Sequence, residues 1–351
     1  SGVWIMAYTT IDKPSDYFES KIWTGNGSSQ NISLDFAPNW VWIKQRSSTR
    51  FHNLQDTIRG TGLQLFSNTT GADNSDDTNI TAFNSDGYSL GAGDNVNKNS
   101  STYVGWSWKA GTSFTNDASS TSVGTLDSVG SVSATAGFSI ISFTGTESSN
   151  QSVAHGLGAV PELILSKSRA VVDNWMVHHG SFSENDYISL NLTNAKASAS
   201  SVWSSLPTST VINIGDNAGV NDDGAMIMYA FRSVQGYSKF SSYIGNGNAD
   251  GTFVYTGFKP AFVIIKRTDD SSDWVLLDNK RDSFNVVNTK LFSSNSDGDV
   301  TSQNACDFVS NGIKFRDSAT NAFATSVSGA TYIYMAFAEN PFVTSTGVPA
   351  T

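Results

Sequence analysis

Apolar residues along this chain fall in short runs rich in Val, Ile, Trp, Phe, Tyr and Thr, bounded by Gly, Asn, Asp and Ser. No segment sustains an i, i+3, i+4, i+7 stripe over several turns. Gln55–Phe66 and Phe284–Phe292 come nearest to helical spacing. The pattern predicts an all-β fold.

One run recurs three times: Pro38-Asn-Trp-Val-Trp-Ile-Lys44, Pro161-Glu-Leu-Ile-Leu-Ser-Lys167 and Pro260-Ala-Phe-Val-Ile-Ile-Lys266. Each follows an aromatic–Thr/Ile–Gly turn, at Trp23, Phe143 and Tyr243. Eight residues past each lysine stands a ring, His52, Trp175 or Trp274. Trp40–Ile43 is apolar at successive positions, so both faces are expected to be covered. Closing strands recur too, at Thr102–Lys109, Ala225–Arg232 and Thr331–Ala338, with bulk on both faces. Recurrence at this spacing predicts three tandem homologous β-sandwich, jelly-roll-like repeats of about 100 residues. Their expected limits are 16–111, 137–235 and 236–342. A 1–15 arm precedes them, a Ser/Thr/Gly-rich linker covers 112–136, and a 343–351 tail runs outward.

The first and third copies also share Asp56/Asp278, Arg59/Arg281, and the turns Ser85-Asp-Gly87 and Ser310-Asn-Gly312. The second copy has His179 and Phe182 in place of the Asp and Arg. An Asp and an Arg at that spacing can pin a turn or face a partner, so a structural role is expected of both pairs. Pro38, Pro161, Pro260, the three lysines, Trp175 and Trp274 complete the structural signature.

Charged residues make up only 15% of the chain, so the surface is dominated by Ser, Thr, Asn and Gly. The net charge of -10 and pI near 4.7 disfavour a nucleic-acid partner. No apolar run approaches the roughly 18 residues that would span a membrane, so no membrane insertion is expected. The single cysteine, Cys306, reads as a buried apolar residue.

Candidate chemistry is sparse. Gly87-Tyr-Ser-Leu-Gly91 matches a nucleophile-elbow pattern, which needs a strand-to-helix turn in an α/β sheet, but it sits in a β-repeat whose third copy reads Gly312-Ile-Lys-Phe-Arg316 at that place. His52, His155, His178 and His179 lack zinc spacing. The Asp-rich loops Asp73–Asp77, Asp216–Asp223, Asp269–Asp273 and Asn295–Asp299 read as solvated turns, with a weak calcium site as the alternative. No catalytic residue, metal ligand or cofactor is expected, and the chain reads as a non-enzyme. Trp23, Trp203 and Tyr243 are candidates for sugar stacking, and His178 with His179 for a polar pocket.

The assembled motifs resemble a tandem domain family of unassigned function found in virion proteins of tailed phages. In the third copy the residues are Tyr243-Ile-Gly-Asn-Gly247, Val254-Tyr-Thr-Gly-Phe-Lys-Pro260, Val263-Ile-Ile-Lys-Arg-Thr268, Trp274, Asp307-Phe-Val-Ser-Asn-Gly-Ile-Lys314 and Tyr332-Ile-Tyr-Met-Ala-Phe-Ala-Glu-Asn-Pro-Phe342. In the first they are Trp23-Thr-Gly-Asn-Gly27, Trp40-Val-Trp-Ile-Lys-Gln-Arg46, Asn84-Ser-Asp-Gly-Tyr88 and Val104-Gly-Trp-Ser-Trp-Lys-Ala110. Trp4-Ile-Met-Ala-Tyr8 is similar to a closing strand, as if left from an earlier repeat.

The resemblance implies a structural or adhesive protein of a tail fibre or other surface appendage, at the virion surface or extracellular. Other virion proteins would be its partners. A fibre component is expected to be a homo-oligomer, with a trimer favoured. The alternative is a glycan-binding, lectin-like module meeting host-surface glycan. A polysaccharide depolymerase or a capsid decoration protein comes further behind.

Overall fold

The computed structural model describes residues 7–301, 304–318 and 324–349. Among them nearly all regular structure is antiparallel strand, and the chain is an all-β protein. Residues 4–6 of the Trp4–Tyr8 motif lie outside the described residues.

The first stretch forms β1 (Phe18–Thr24), β2 (Gln30–Ser33), β3 (Trp40–Gln45), β4 (Asn53–Asp56), β5 (Leu63–Phe66), β6 (Asn74–Ser75), β7 (Ile80–Asn84), β8 (Gly87–Leu90) and β9 (Thr102–Trp108). The second forms β10 (Thr112–Asn116), β11 (Ser128–Ser133), β12 (Phe138–Thr144), β13 (Gln151–Ala154), β14 (Leu163–Ser168), β15 (Met176–His179), β16 (Asp186–Ser189), β17 (Ala197–Ser198), β18 (Val211–Ile214) and β19 (Ala225–Phe231). The third forms β20 (Ser238–Ile244), β21 (Phe253–Tyr255), β22 (Phe258–Arg267), β23 (Trp274–Asp278), β24 (Leu291–Phe292), β25 (Cys306–Val309), β26 (Gly312–Phe315) and β27 (Thr331–Pro341).

Each stretch builds one large and one small sheet. The large sheets contain the orders β1-β9-β3-β4-β5, β12-β19-β14-β15-β16 and β20-β27-β22-β23-β24. In every case the closing strand lies between the opening strand and the strand that ends in the buried lysine. The small sheets are β2-β8-β7, β13-β18 and β21-β26-β25. Gly87 and Gly312 open the hairpin strands β8 and β26. A Cβ there would sit 2.0 Å from the Ile32 carbonyl oxygen and 2.2 Å from that of Val254, so the neighbouring strand admits only glycine.

Three expectations are corrected. The 112–136 segment is not a free linker: β10 and β11 lie within it and extend the second large sheet beyond β12. The apparent helical spacing over 55–66 and 284–292 is not realised. The first segment holds β5 and a turn, the second a loop leading into β24, because cross-strand pairing of Leu65 and Leu291 prevails over local periodicity. The tail also turns back, Val343 bridging to Pro349 and the Ser345 amide donating to Asp12.

Side-chain alternation divides each large sheet into two buried faces. The outer faces pack against their own small sheets in three separate cores, as with Val41, Ile43 and Tyr103 in the first. The inner faces of all three converge on a single core. Trp40, Trp42, Trp106 and Trp108 come from the first sheet, Leu165, Ile227, Tyr229 and Phe231 from the second, and Phe262, Ile264, Met335 and Phe337 from the third. Trp108, Phe231 and Phe337 hold corresponding places in the three closing strands and touch one another. Their ring centroids are 6.5, 5.7 and 6.0 Å apart. The three sheet pairs are therefore not strung in a row; each meets both others.

Candidate functional site

The residues that looked most like chemistry lie at the three seams between large sheets. The loop after each buried lysine exchanges two backbone hydrogen bonds with a loop of a neighbouring sheet pair. Between first and second these are Asp73 N to Arg169 O and Asp173 N to Thr70 O. Between second and third they are Lys196 N to Thr268 O and Ser272 N to Thr193 O. Between third and first they are Asp299 N to Arg46 O and Arg50 N to Ser296 O. The pattern closes into a ring.

The lysines hold these loops in shape. Lys44 Nζ donates to Gln45 O at 2.7 Å, Lys167 Nζ to Ser168 O at 2.8 Å, and Lys266 Nζ to Ser272 O at 2.6 Å. Lys266 also reaches across its seam to Thr193 O at 2.9 Å. All three are fully buried, and burial pulls each ammonium pKa down to about 8 against the pull of nearby aspartates. The prolines flank these strands. Pro38 and Pro161 precede β3 and β14, while Pro260 sits within β22 at a register shift, the kind of irregularity where a strand tolerates proline.

The rings after the lysines bridge neighbours. Trp175 Nε1 donates to Phe66 O of the first sheet, and Trp274 Nε1 to Ser189 O of the second, both at 2.9 Å. His52, in the third such slot, accepts from Trp42 Nε1 at 2.9 Å and faces the Phe292 backbone of the third sheet. Burial drives its pKa well below the usual range, so it is neutral.

Asp56 and Arg59 pin a turn and also cross a seam. Asp56 Oδ1 accepts the amides of Ile58 and Arg59, and Arg59 Nε donates to Asp56 Oδ2 at 2.6 Å. Tyr229 of the second sheet donates its hydroxyl to Asp56 Oδ2 at 2.7 Å. Asp73 accepts from Arg59 at 3.1 Å and from Arg169 of the second sheet pair at 2.7 Å. Asp278 and Arg281 build the same device against the first sheet. There Trp106 Nε1 donates to Asp278 Oδ2 at 3.3 Å, and Asp299 joins Arg281 at 3.2 Å to Arg46 at 2.8 Å. The side chains of both Asp–Arg pairs are fully buried.

The second–third seam lacks the device for a visible reason. The place held by Tyr229 and Trp106 is taken by Met335, which cannot donate a hydrogen bond. Asp and Arg there would be a buried pair with one acceptor site unfilled. His179 and Phe182 stand instead. His179 Nδ1 accepts from the Ser181 amide, Nε2 donates to Tyr334 O at 3.4 Å, and Lys196 lies 5.5 Å over the Phe182 ring. Tyr229, Trp106 and Met335 escaped sequence reading as seam residues, although their alignment within the closing strands pairs a donor with Asp and a thioether with His.

Four of the five expected ligand-contacting side chains, Trp203, Tyr243, His178 and His179, are buried. Trp203 is 2% exposed and Tyr243 7%. Tyr243 stacks on Tyr332 at 4.9 Å and donates to Thr325 O. Half-buried Trp23 stacks on Tyr103 at 5.6 Å and donates to Val96 O. Trp203 and Tyr243 fill sandwich cores and present no face to a sugar, whereas Trp23 packs at the edge of its core. His178 packs edge-on against Trp203 at 6.0 Å. His178 and His179 are both buried and line no open polar pocket, and burial lowers the pKa of each to about 4. Ser89 lies within β8, donating to Asn31 and accepting from Asn84, not on a strand-to-helix turn. The aspartates of three loops are engaged by arginines or lysines: Asp73, Asp269 and Asp299 all lie in ion pairs.

A family model described as a domain of unknown function (DUF7483) matches residues 13–341, a span that runs across all three sheet pairs. Neither the curated proteins nor the solved structures yield a match.

Proposed function

We propose that this chain, which belongs to the DUF7483 family, is a structural and adhesive component of a virion surface appendage, such as a phage tail fibre. It acts as a passive, non-enzymatic scaffold. One observation carries the reading: the recurring Asp–Arg pairs and the indole N–H groups of Trp106, Trp175 and Trp274 are spent on ties between sheets, and the buried lysines brace the loops that make the remaining ties. A body so closed recognises partners through its exterior, which is largely Ser, Thr, Asn and Gly. Its partners on this reading are other virion proteins and further copies of itself. The inner faces of the large sheets are already covered within one chain, so self-association, a trimer included, would use the outer surface.

Labelling of purified particles with an antibody to this chain, viewed by electron microscopy, tests the reading. Gold at a fixed particle position is expected. Abundant chain in the lysate with none on particles refutes it.

A further inference from the structure

The third sheet pair carries a loop that its neighbours lack. Cross-strand pairs Leu54/Leu65, Val177/Ile188 and Leu276/Leu291 hold corresponding places. From the seam residue to the second member of the pair, the chain runs equally far from Asp56 to Leu65 and from His179 to Ile188. From Asp278 to Leu291 it is four residues longer. The fold closes twice without those residues, so they are not required to build it.

The added loop is held in a fixed shape. Asp282 accepts the amides of Asn288 and Thr289 at 2.8 and 2.6 Å and the Thr289 hydroxyl at 2.8 Å. Asn285 exchanges two hydrogen bonds with the Phe308 backbone, at 3.0 and 2.9 Å. Between these anchors stands Phe284, 84% exposed, the most exposed large apolar side chain among the described residues. Holding a bare ring in water on an ordered loop forgoes the stabilisation its burial would give.

Phe284 rims a cleft of about 400 Å³, a size suited to a small ligand. Lys259 and Glu339, paired at 2.8 Å, line it from β22 and β27. Asn279 and Lys280 line it from the turn after β23. Asn279 Oδ1 is buried and has no hydrogen-bond partner among the described residues. Lys280 has no carboxylate partner among them either, and its side chain is exposed.

We propose that this cleft binds a neutral saccharide. A pyranose offers one face of C–H groups to Phe284 and a rim of hydroxyls to Asn279, Lys280 and Glu339. Those groups supply both donors and acceptors, which hydroxyls need together. The charges lining the cleft are matched, with Lys259 and Lys280 against Glu339 and Asp282, and the net charge of -10 disfavours polyanions. The inference deepens the adhesive part of the reading above and rests on that part alone. Particles that carry the chain while it binds no sugar overturn this inference and leave the structural role standing.

The test is saturation-transfer NMR on the intact chain with maltohexaose, cellohexaose, chitohexaose and xylohexaose, with hexagalacturonate as the anionic counterpart. Binding of at least one neutral hexamer is expected. Phe284→Ala should weaken it about tenfold or more, the scale of one lost aromatic contact, with the thermal midpoint unchanged. Lys280→Ala, a second exposed change, should weaken it several-fold. The proposal is overturned if no neutral hexamer binds, if hexagalacturonate alone binds, or if Phe284→Ala keeps the parent affinity.

Discussion

Replacing Phe337 by Ala tests whether the three sheet pairs share one core. Phe337 is 1% exposed and belongs to the third sheet, yet its ring meets Phe18 at 5.0 Å, Trp108 at 5.7 Å and Phe231 at 6.0 Å. Removing a buried ring of this size costs about 3–5 kcal/mol, towards the upper end where the surroundings cannot collapse. Here the cavity is walled by three separately anchored sheets, so little collapse is available. With an m-value of about 3 kcal/mol per M urea, the unfolding midpoint falls by roughly 1.5 M. The assay compares far-UV circular dichroism with tryptophan emission, because five of the nine tryptophans, Trp23, Trp40, Trp42, Trp106 and Trp108, belong to the first sheet pair and weight the emission towards it. A shared core requires both signals to move together, although the change is in the third pair. Pairing Phe337→Ala with Trp108→Ala should give a coupling energy of about 0.5–3 kcal/mol. If tryptophan emission keeps its parental midpoint while the dichroism splits into two steps, the sheets unfold independently and the reasoning fails.

Arg59→Met should cost about 3–5 kcal/mol in the same titration, because Asp56 is left charged, buried and short of a partner; a loss below 1 kcal/mol would show that the seam pair is dispensable. Stability should rise between pH 8 and about 10, where the unfolded chain still holds protons that Lys44, Lys167 and Lys266 have released in the fold. Each lysine contributes about 3 kcal/mol across its full shift, and Lys167→Met should flatten that rise in pH-resolved urea melts. Acidification from pH 6.5 towards 4 should destabilise the fold, because His178 and His179 protonate more readily once unfolded. His179→Leu should reduce that acid sensitivity by about 3 kcal/mol, and an unchanged acid limb would contradict the assigned burial.

Much of the architecture was legible in residue patterns. The successive apolar positions of Trp40–Ile43 marked a strand covered on both faces, and the strand that contains them, Trp40–Gln45, is buried throughout. The Asp–Arg spacing suggested a pinned turn, and both Asp56 and Asp278 cap such a turn. Trp23, Trp203 and Tyr243 misled because an aromatic beside a Gly-rich turn looks the same in sequence whether its ring points outward or under the turn. The 112–136 segment misled because Ser and Thr serve a strand as well as a loop once a neighbouring edge, here β12, offers backbone partners.

By itself the sequence determined that the chain is built of short strands, where the three recurring apolar runs lie, and that a lysine stands near the end of each. Those are local consequences of side-chain period and turn chemistry. Tertiary structure alone decided what covers each buried face: a small sheet on the outside, two other large sheets on the inside. It also decided that Asp56 answers to Tyr229 and Asp278 to Trp106, residues far away along the chain. A period of two states that both faces of a strand avoid water. It carries no information about which surface meets them, because apolar burial is non-directional and any well-packed partner satisfies it.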